Sequence, residues 1–351
     1  MNVADLFAGV GGLSLGFSQV GFNVVVAIEF DSEIAEAYSR NHPETEMINE
    51  DITQVNFKEL HERFQEIDIV VGGPPCQGFS QKGKRMSIND PRNFLFKRYV
   101  DFVQEFSPKY FVIENVPNII TTHNGYFKNE IIEAFNNLGY EVTCGVLKAT
   151  DFGVPQDRHR AVFIGQKGKL QISLPKPNGK HTTVREAIYD LPFIGSGEGT
   201  EISKYDKIAF TDYQKLLRGN SQVLYNHVAT KHSQLALYRL SLIPRGKGKE
   251  VLPQEHLTKS IYSGTWCRLL DDGIAATITT RFDTPSSGRF THPFLNRCIT
   301  VREAARLQSF PDDFIFYGNK TSQMKQVGNA VPPFVAHAIA EEIFINENHI
   351  N

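Results

Sequence analysis

The chain has 351 residues, 41% of them hydrophobic, with 37 basic against 39 acidic side chains and a formal net charge of −2. That length accommodates one large α/β domain with a smaller companion and excludes a short disulfide-built scaffold. No apolar run reaches membrane-spanning length, the start Met1-Asn2-Val3-Ala4-Asp5 has no signal-peptide layout, and Cys76, Cys144, Cys267 and Cys298 form no metal-binding spacing. Four scattered thiols fit a reducing cytosol, and no metal site is expected.

Strand and helix patterns alternate through residues 1–166. Asn2 to Phe7 reads as a strand, Gly11 to Val20 as a helix, Asn23 to Ile28 as a strand and Ser32 to Arg40 as a helix. The strand series continues at Ile67 to Val71, Tyr110 to Ile113, Glu141 to Leu147 and Ala161 to Ile164, with helices at Phe94 to Phe106 and Phe127 to Leu138. Apolar strands alternating with helices predict an α/β fold with a doubly wound, mostly parallel sheet. The last two strands are joined by a short connection without a helix, which predicts an antiparallel pair. After Gly165 the rhythm stops, and Pro175, Pro177 and Gly179 mark a linker. The expected organisation is a first domain over 1–177, a smaller loop-rich domain over 178–319, and a segment over 320–351 that rejoins the first. Helical pattern returns over Ser322 to Ile345, broken at Pro332-Pro333.

Charge is unevenly spread. Residues 1–70 hold 13 acidic and 3 basic side chains, residues 77–100 hold 1 and 6, and residues 227–302 hold 5 and 11. The two basic stretches could present a positive face to a polyanion, although ordinary solvated surface explains such patches equally well.

Chemistry concentrates at predicted strand ends. Gly72-Gly73-Pro74-Pro75-Cys76-Gln77-Gly78-Phe79-Ser80 follows the apolar run ending at Val71. It places a lone thiol where open α/β sheets bind ligands, on a lead stiffened by two prolines. A cysteine at a strand end is more often buried filler, but the prolines and the basic flap after it favour a nucleophile. Asp5-Leu6-Phe7-Ala8-Gly9-Val10-Gly11-Gly12 is a glycine-rich turn that lets a cofactor approach the backbone and a helix N-terminus. Glu29 ends the second strand 20 positions after Gly9, where a carboxylate can accept from ribose hydroxyls. Ser14 stands at the third glycine position of the dinucleotide fingerprint, so a nucleoside cofactor without pyrophosphate fits better than NAD. Asp51 could accept from an adenine amino group, though taken alone such a residue is more often a helix cap. Glu114, after Val112-Ile113, comes to the same sheet edge as Cys76 and suits a general acid. In Gln156-Asp157-Arg158-His159-Arg160, positions 156, 158 and 160 of a continuous strand would share one face. Two guanidinium forks there suit an anion or a base carbonyl, with an ion-pair ladder as the alternative.

From end to end the chain resembles the DNA cytosine-5 methyltransferases of bacterial restriction-modification systems. The resemblance rests on Phe7-Ala8-Gly9-x-Gly11-Gly12, Pro74-Pro75-Cys76-Gln77, Glu114-Asn115-Val116 and Gln156-x-Arg158-x-Arg160, in that order. It continues with Arg302-Glu303-x-x-Arg306-Leu307-Gln308-x-Phe310-Pro311 and Gln326-x-Gly328-Asn329-Ala330-Val331. It implies methyl transfer from S-adenosylmethionine to C5 of a cytosine flipped out of double-stranded DNA, through a covalent bond to Cys76. Glu114 would bond N3 and the exocyclic amine. Arg160 would bind O2, and Arg158 would hold Glu114 or the neighbouring phosphate. The cofactor would lie against Phe7, with Gly9 and Gly11 in its turn, Glu29 on the ribose, and Asp51 and Ile52 at the adenine edge. Pro74, Leu95, Asn329 and Ala330 would complete the pocket. A flap over 77–93 would close on DNA through Ser80 and Arg92. The smaller domain would read sequence, with Thr277 and Arg281 as candidate DNA contacts and Arg268 and Arg289 as base or phosphate ligands, although each of these arginines is more often a phosphate contact or a structural ion pair. A cytoplasmic monomer acting on DNA, bacterial or phage-encoded, with a restriction endonuclease of the same site as its potential companion, completes the expectation. Three alternatives stand beside it: an RNA (tRNA) cytosine-5 methyltransferase, a silent DNA-binding scaffold and an NAD-dependent dehydrogenase.

Overall fold

The computed structural model describes residues 1–75, 94–169, 171–258 and 264–350. The chain packs as two units, the first from residues 1–148, 159–177 and 333–351, the second from 149–158 and 178–332.

The first unit begins β1 (Asn2–Leu6), α1 (Gly12–Val20), β2 (Asn23–Ile28), α2 (Ser32–Asn41), β3 (Glu46–Ile48), α3 (Phe57–Phe64) and β4 (Ile69–Gly72). It continues with α4 (Phe94–Phe106), β5 (Tyr110–Asn115), α5 (Asn118–Thr121), α6 (Tyr126–Asn136) and β6 (Tyr140–Lys148). After a short β7 (Gln156–Asp157) in the second unit, β8 (His159–Lys167) returns to the sheet. The seven strands lie in the order β3-β2-β1-β4-β5-β8-β6. β1 to β5 pair in parallel, while β8 runs antiparallel to both β5 and β6. The strand series read from sequence therefore forms one α/β sheet, and the helix-free connection produces the antiparallel pairing. The eight-residue α3, capped by Asn56 on the Lys58 and Glu59 amides, has no counterpart in the sequence reading.

Aromatic side chains bind the layers. Tyr99 of α4 is buried, its hydroxyl 3.0 Å from the carbonyls of both Val70 and Val112, so one side chain braces β4 and β5. Phe111 of β5 stacks on Phe135 of α6 with ring centroids 3.8 Å apart.

The second unit contains α7 (Val184–Ile188), β9 (Gly199–Lys204), α8 (Asp212–Arg218), β10 (Val223–Val228), α9 (Gln234–Ser241), β11 (Ala275–Ala276), α10 (Val301–Leu307) and α11 (Lys320–Asn329). β9 pairs antiparallel with β10, and β7 pairs in parallel with β11. Every residue of α10 is buried. Its arginines are there because each is satisfied: Arg306 holds Asp190 and Asp312, and Arg302 bonds the carbonyls of Tyr225, Pro311 and Phe314. Arg297 grips Glu303 of the same helix through two bonds of 2.7 and 2.8 Å. The Arg302-Glu303-x-x-Arg306 run is thus an internal frame in which buried charge is paired.

The structure moves the expected return to the first unit from 320 to Pro333, where α12 (Pro333–Ile350) begins. The cause is that α11 is held in the second unit: Gln308 donates to the Val327 and Ala330 carbonyls at 3.0 and 2.9 Å. α12 then packs in the first unit, where Phe344 meets Phe22 and Phe22 meets Phe17 of α1.

At the end of β4, Gly72 pairs with Leu6 of β1, and a Cβ at Gly72 would overlap the Leu6 carbonyl. Gly72→Ala is expected to cost about 1–3 kcal/mol through forced strand separation. Denaturant unfolding of the variant checks this, and an unchanged midpoint would show that the strands are free to separate.

Candidate active site

The strand order reverses between β1 and β4, so their carboxyl-end loops flank the crevice where open α/β sheets take ligands. The loop after β1 takes left-handed backbone at Phe7 (φ 58°), Gly9 (φ 56°) and Gly11 (φ 92°). For Phe7 this is a conformation that side chains rarely adopt. Glu29, at the end of β2, fixes the loop: its Oε2 accepts from the Gly9 amide at 2.9 Å and its Oε1 from the Asp31 amide at 2.9 Å. Burial raises the Glu29 carboxyl, and those amides oppose the shift. A Cβ at Gly9 would meet nothing within 4 Å, so the loop borders open space there. A Cβ at Gly11 would overlap the His42 imidazole, so Gly11 is required for space as well as for its φ.

Beneath the loop lies a polar cluster that the sequence reading left without a role. Ser14 Oγ lies 2.6 Å from Asp5 Oδ2 and 2.7 Å from the Tyr38 hydroxyl, and all three residues are buried. The cluster ties β1 to the first turn of α1 across the Phe7–Gly11 loop. Burial pushes the Asp5 carboxyl up to about 7, outweighing the Ser14 bond. The same burial lowers the neighbouring His42 to about 4, so it is neutral at pH 7. The available signal was an acid inside the apolar strand Val3-Ala4-Asp5-Leu6, the criterion that singled out Glu114.

The remaining candidates of the first unit lie on nearby loops. Asp51 Oδ1 accepts from the Thr53 amide at 2.9 Å, so Asp51 shapes a turn, and Ile52 beside it is buried. Leu95, in the first turn of α4, packs against the core. Pro74 is buried, and its carbonyl accepts from Asn115 Nδ2 at 2.9 Å. Asn115 thereby clamps the proline lead, a contact no spacing in the sequence announces. Cys76, Ser80, Arg92 and the flap over 77–93 lie outside the described residues.

Glu114 and Arg160 meet. Arg160 Nε lies 2.7 Å from Glu114 Oε1, with the two side chains 18% and 11% exposed. Glu114 faces Val162 in the β5–β8 register, so Arg160, two residues before Val162, shares its face. A second donor, Arg160 Nη1, bonds the His159 carbonyl at 2.7 Å. Glu114 Oε2 would lie 3.2 Å from a Cβ on Gly73, which puts the carboxylate against the start of the proline lead.

Arg158 requires a correction. The strand expected from 156 to 160 is split: Gln156 and Asp157 pair with Ala275 and Ala276 in the second unit, and only from His159 does the chain join the main sheet. Arg158 is 1% exposed and donates to the carbonyls of Ile278 (3.1 Å), Gly328 (2.9 Å) and Ala330 (3.0 Å). Its guanidinium frames the second unit rather than sharing a face with Arg160. Gln156 joins that frame, accepting from the Ile278 amide at 2.8 Å and donating to the Leu307 carbonyl at 3.1 Å.

Asn329 ends α11 as an exposed residue, and Ala330 is buried with its carbonyl engaged by Arg158 and Gln308. Thr277 donates its hydroxyl to the Asp157 carbonyl. Arg281 is exposed, its Nε 3.2 Å from Asp283, and Arg289 is also exposed. Arg268 is not available to a ligand: it is 4% exposed and bonds the carbonyls of Ile243, Leu240, His292 and Leu295 and the Asn296 amide oxygen. With Arg268, Arg297 and Arg302 all buried, the positive excess of residues 227–302 is partly internal. Among the described residues, no His, Cys, Asp or Glu cluster could hold a metal ion, and no helix is long and apolar enough to cross a membrane.

The family model for C-5 cytosine-specific DNA methylases matches residues 1–345, and the chain belongs to that family. It is 41% identical to the type II methyltransferase M.DdeI of Desulfomicrobium norvegicum, covering 100% of this chain and 91% of that protein. It is 39% identical to the type II methyltransferase M1.HphI of Haemophilus parahaemolyticus, covering 98% and 86%. Among solved structures, a DNA modification methyltransferase encoded within an E. coli prophage aligns with a TM-score of 0.82 at 30% identity over 99% of both chains. A mutant of Spodoptera frugiperda DNMT2 aligns over 98% of this chain and 99% of that one, with a TM-score of 0.63 at 16% identity, a likeness of fold alone. The protein is a DNA cytosine-5 methyltransferase of the restriction-modification kind that uses S-adenosylmethionine. The RNA-directed and silent-scaffold alternatives receive no support from these matches, nor does a dehydrogenase. The structure fits the cofactor: Gly9 borders open space beside the Glu29 carboxylate, and the N-terminus of α1 carries no side-chain cap.

Asp5 gives this site a pH signature. Its folded pKa of about 7 exceeds the ordinary 3.8, so its contribution to stability is full below pH 4 and is lost as pH rises to 7. Asp5→Asn is expected to remove that slope, on the order of 4 kcal/mol at most. Urea unfolding of both proteins at pH 4 and pH 8 measures it, and parallel pH profiles would show that Asp5 does not titrate there.

Proposed function

We propose that methylation proceeds through Cys76, Glu114 and Arg160 at the edge formed by the ends of β4 and β5 and the start of β8. The observation that carries this reading is the largely buried Glu114–Arg160 pair, with the Glu114 carboxylate set against Gly73, the first residue of the lead to Cys76. Cys76 as thiolate adds to C6 of the flipped cytosine, because C5 alone is too weak a nucleophile. Glu114 hydrogen-bonds N3 and the exocyclic amine as charge develops on the ring, and Arg160 holds the carboxylate in place. With one Nε and one Nη1 proton engaged, Arg160 retains donors among its five for the cytosine O2. S-adenosylmethionine, when bound, supplies the electrophilic methyl group. Phe7, Gly9, Gly11 and Glu29 hold its adenosine, Asp51 and Ile52 border the adenine, and Pro74 and Leu95 line the pocket near the methionine moiety. Loss of the C5 proton then expels Cys76 and leaves 5-methylcytosine. Arg158 acts as a positioning residue for the segments that carry Ile278, Gly328 and Ala330.

The second unit selects the target sequence, with Thr277, Arg281 and Arg289 at or near the DNA. Ser80 and Arg92 contact DNA from the flap. The working form is a monomer on double-stranded DNA in the bacterial cytoplasm, protecting sites that a cognate endonuclease cuts. Support for that setting comes from relatives named as type II methyltransferases.

Tritiated-methyl transfer to duplex DNA tests the assignments. Cys76→Ser is expected to lose nearly all activity. Glu114→Gln is expected to lose about 10³-fold or more in kcat, the scale of a preorganised electrostatic contact in the transition state. Arg160→Met should fall between wild type and Glu114→Gln. Normal turnover by either Cys76→Ser or Glu114→Gln would overturn the mechanism.

A further inference from the structure

We propose that Arg98 is a positioning residue that holds the Asp51–Val55 turn, and with it the adenine side of the cofactor pocket. The inference rests on the reading of Asp51 and Ile52 as the adenine border.

The turn joins β3 to α3 and is short of regular backbone partners. Within it the Gln54 amide reaches the Asp51 carbonyl at 2.8 Å, and Asp51 Oδ1 takes the Thr53 amide. The carbonyls of Ile52 and Val55 are instead met from outside. Arg98, in the second turn of α4, donates from Nε to Ile52 O at 3.1 Å and from Nη2 to Val55 O at 2.9 Å. These two donors lie on one edge of the planar guanidinium, so a single rigid fork spans the turn. The fork is aimed by two further contacts. Its carbon lies 3.9 Å from the Phe57 ring centroid, and Nη1 lies 3.4 Å from Asp101 Oδ2. The Arg98 side chain remains 24% exposed, so it is tied to the turn and not sealed in the core.

Arg98 stands three residues after Leu95, a spacing that places both on one side of α4. One helix therefore sets two parts of the pocket wall, Leu95 directly and the Asp51–Ile52 turn through Arg98. Lysine cannot replace the fork, because a single ammonium has no planar pair of donors for two carbonyls.

Arg98→Met and Arg98→Lys are to be titrated calorimetrically with S-adenosylmethionine and with its inosine analogue, which replaces the adenine 6-amino group. Asp51→Asn serves as the reference for the pocket itself. Both Arg98 variants are expected to bind S-adenosylmethionine about tenfold more weakly, the loss of roughly one charge-assisted contact. Preference for the adenine over the inosine form should shrink, and kcat at saturating cofactor should stay within about twofold of wild type. Lysine should not rescue. Unchanged Kd in both Arg98 variants, with a weakened Asp51→Asn, would overturn the proposal. So would a fall in kcat and thermal stability without any change in Kd, which marks a purely structural residue. Weakened Arg98 variants beside an unaffected Asp51→Asn would instead overturn the adenine-border reading.

Discussion

The site depends on β4 lying directly against β1, where the strand order reverses. The overlap that any Cβ at Gly72 would make with the Leu6 carbonyl shows how closely the two strands approach at their ends. Adjacent helices leave such a reversal on opposite faces of the sheet, and a crevice opens between them. Four of the five parallel strands then deliver a group at their carboxyl ends: Phe7 after β1, Glu29 after β2, Pro74 after β4 and Glu114 on β5. The reversed strand β8 delivers its group, Arg160, from its amino end. One antiparallel strand in an otherwise parallel sheet is what brings a cation to an edge already rich in carboxylates.

Three acids at strand ends or within strands meet three environments. Glu29 spends its oxygens on backbone amides and shapes the Phe7–Gly11 loop. Glu114 is held by a guanidinium and placed at the thiol lead. Asp5 has no cation paired with it, only the Ser14 hydroxyl and amide, and burial raises its pKa toward neutrality with a smaller push from the Glu29 charge. In the second unit, buried carboxylates meet arginines instead, and α10 with its partners becomes a frame of satisfied charge. At the end of that helix Gln308 donates to the Ala330 carbonyl, and Gln156, which donates to the Leu307 carbonyl, accepts from the Ile278 amide beside Thr277.

Much of the first unit was legible because its strands are apolar runs bounded by glycine, proline or charge. The Phe94 to Phe106 helix has its predicted ends, and most other strands and helices differ by one or two residues. Glu29 and Glu114 were legible because an acid closing an apolar strand needs a partner or a task. Arg158 was misread because strict alternation assumes an unbroken strand. Its amide instead turns back to the Gln156 carbonyl at 2.9 Å, which ends the period of two. Arg268 was misread because its partners, from Leu240 to Asn296, converge only in the folded unit. Asn115 and Arg98 act on carbonyls, acceptors that every residue possesses, so no sequence pattern marks them.

The claim beneath all of this is that the sulfur at the end of the proline lead bonds covalently to the target base. A duplex with 5-fluorocytosine at a site the enzyme is known to methylate blocks the final proton loss, so it should trap that bond once methyl donor is added. The account predicts a denaturant-stable protein–DNA adduct of one-to-one stoichiometry, with peptide mass mapping to Cys76. Failure of any adduct to form at a site of proven methylation, or its mapping to Cys144, Cys267 or Cys298, would contradict it.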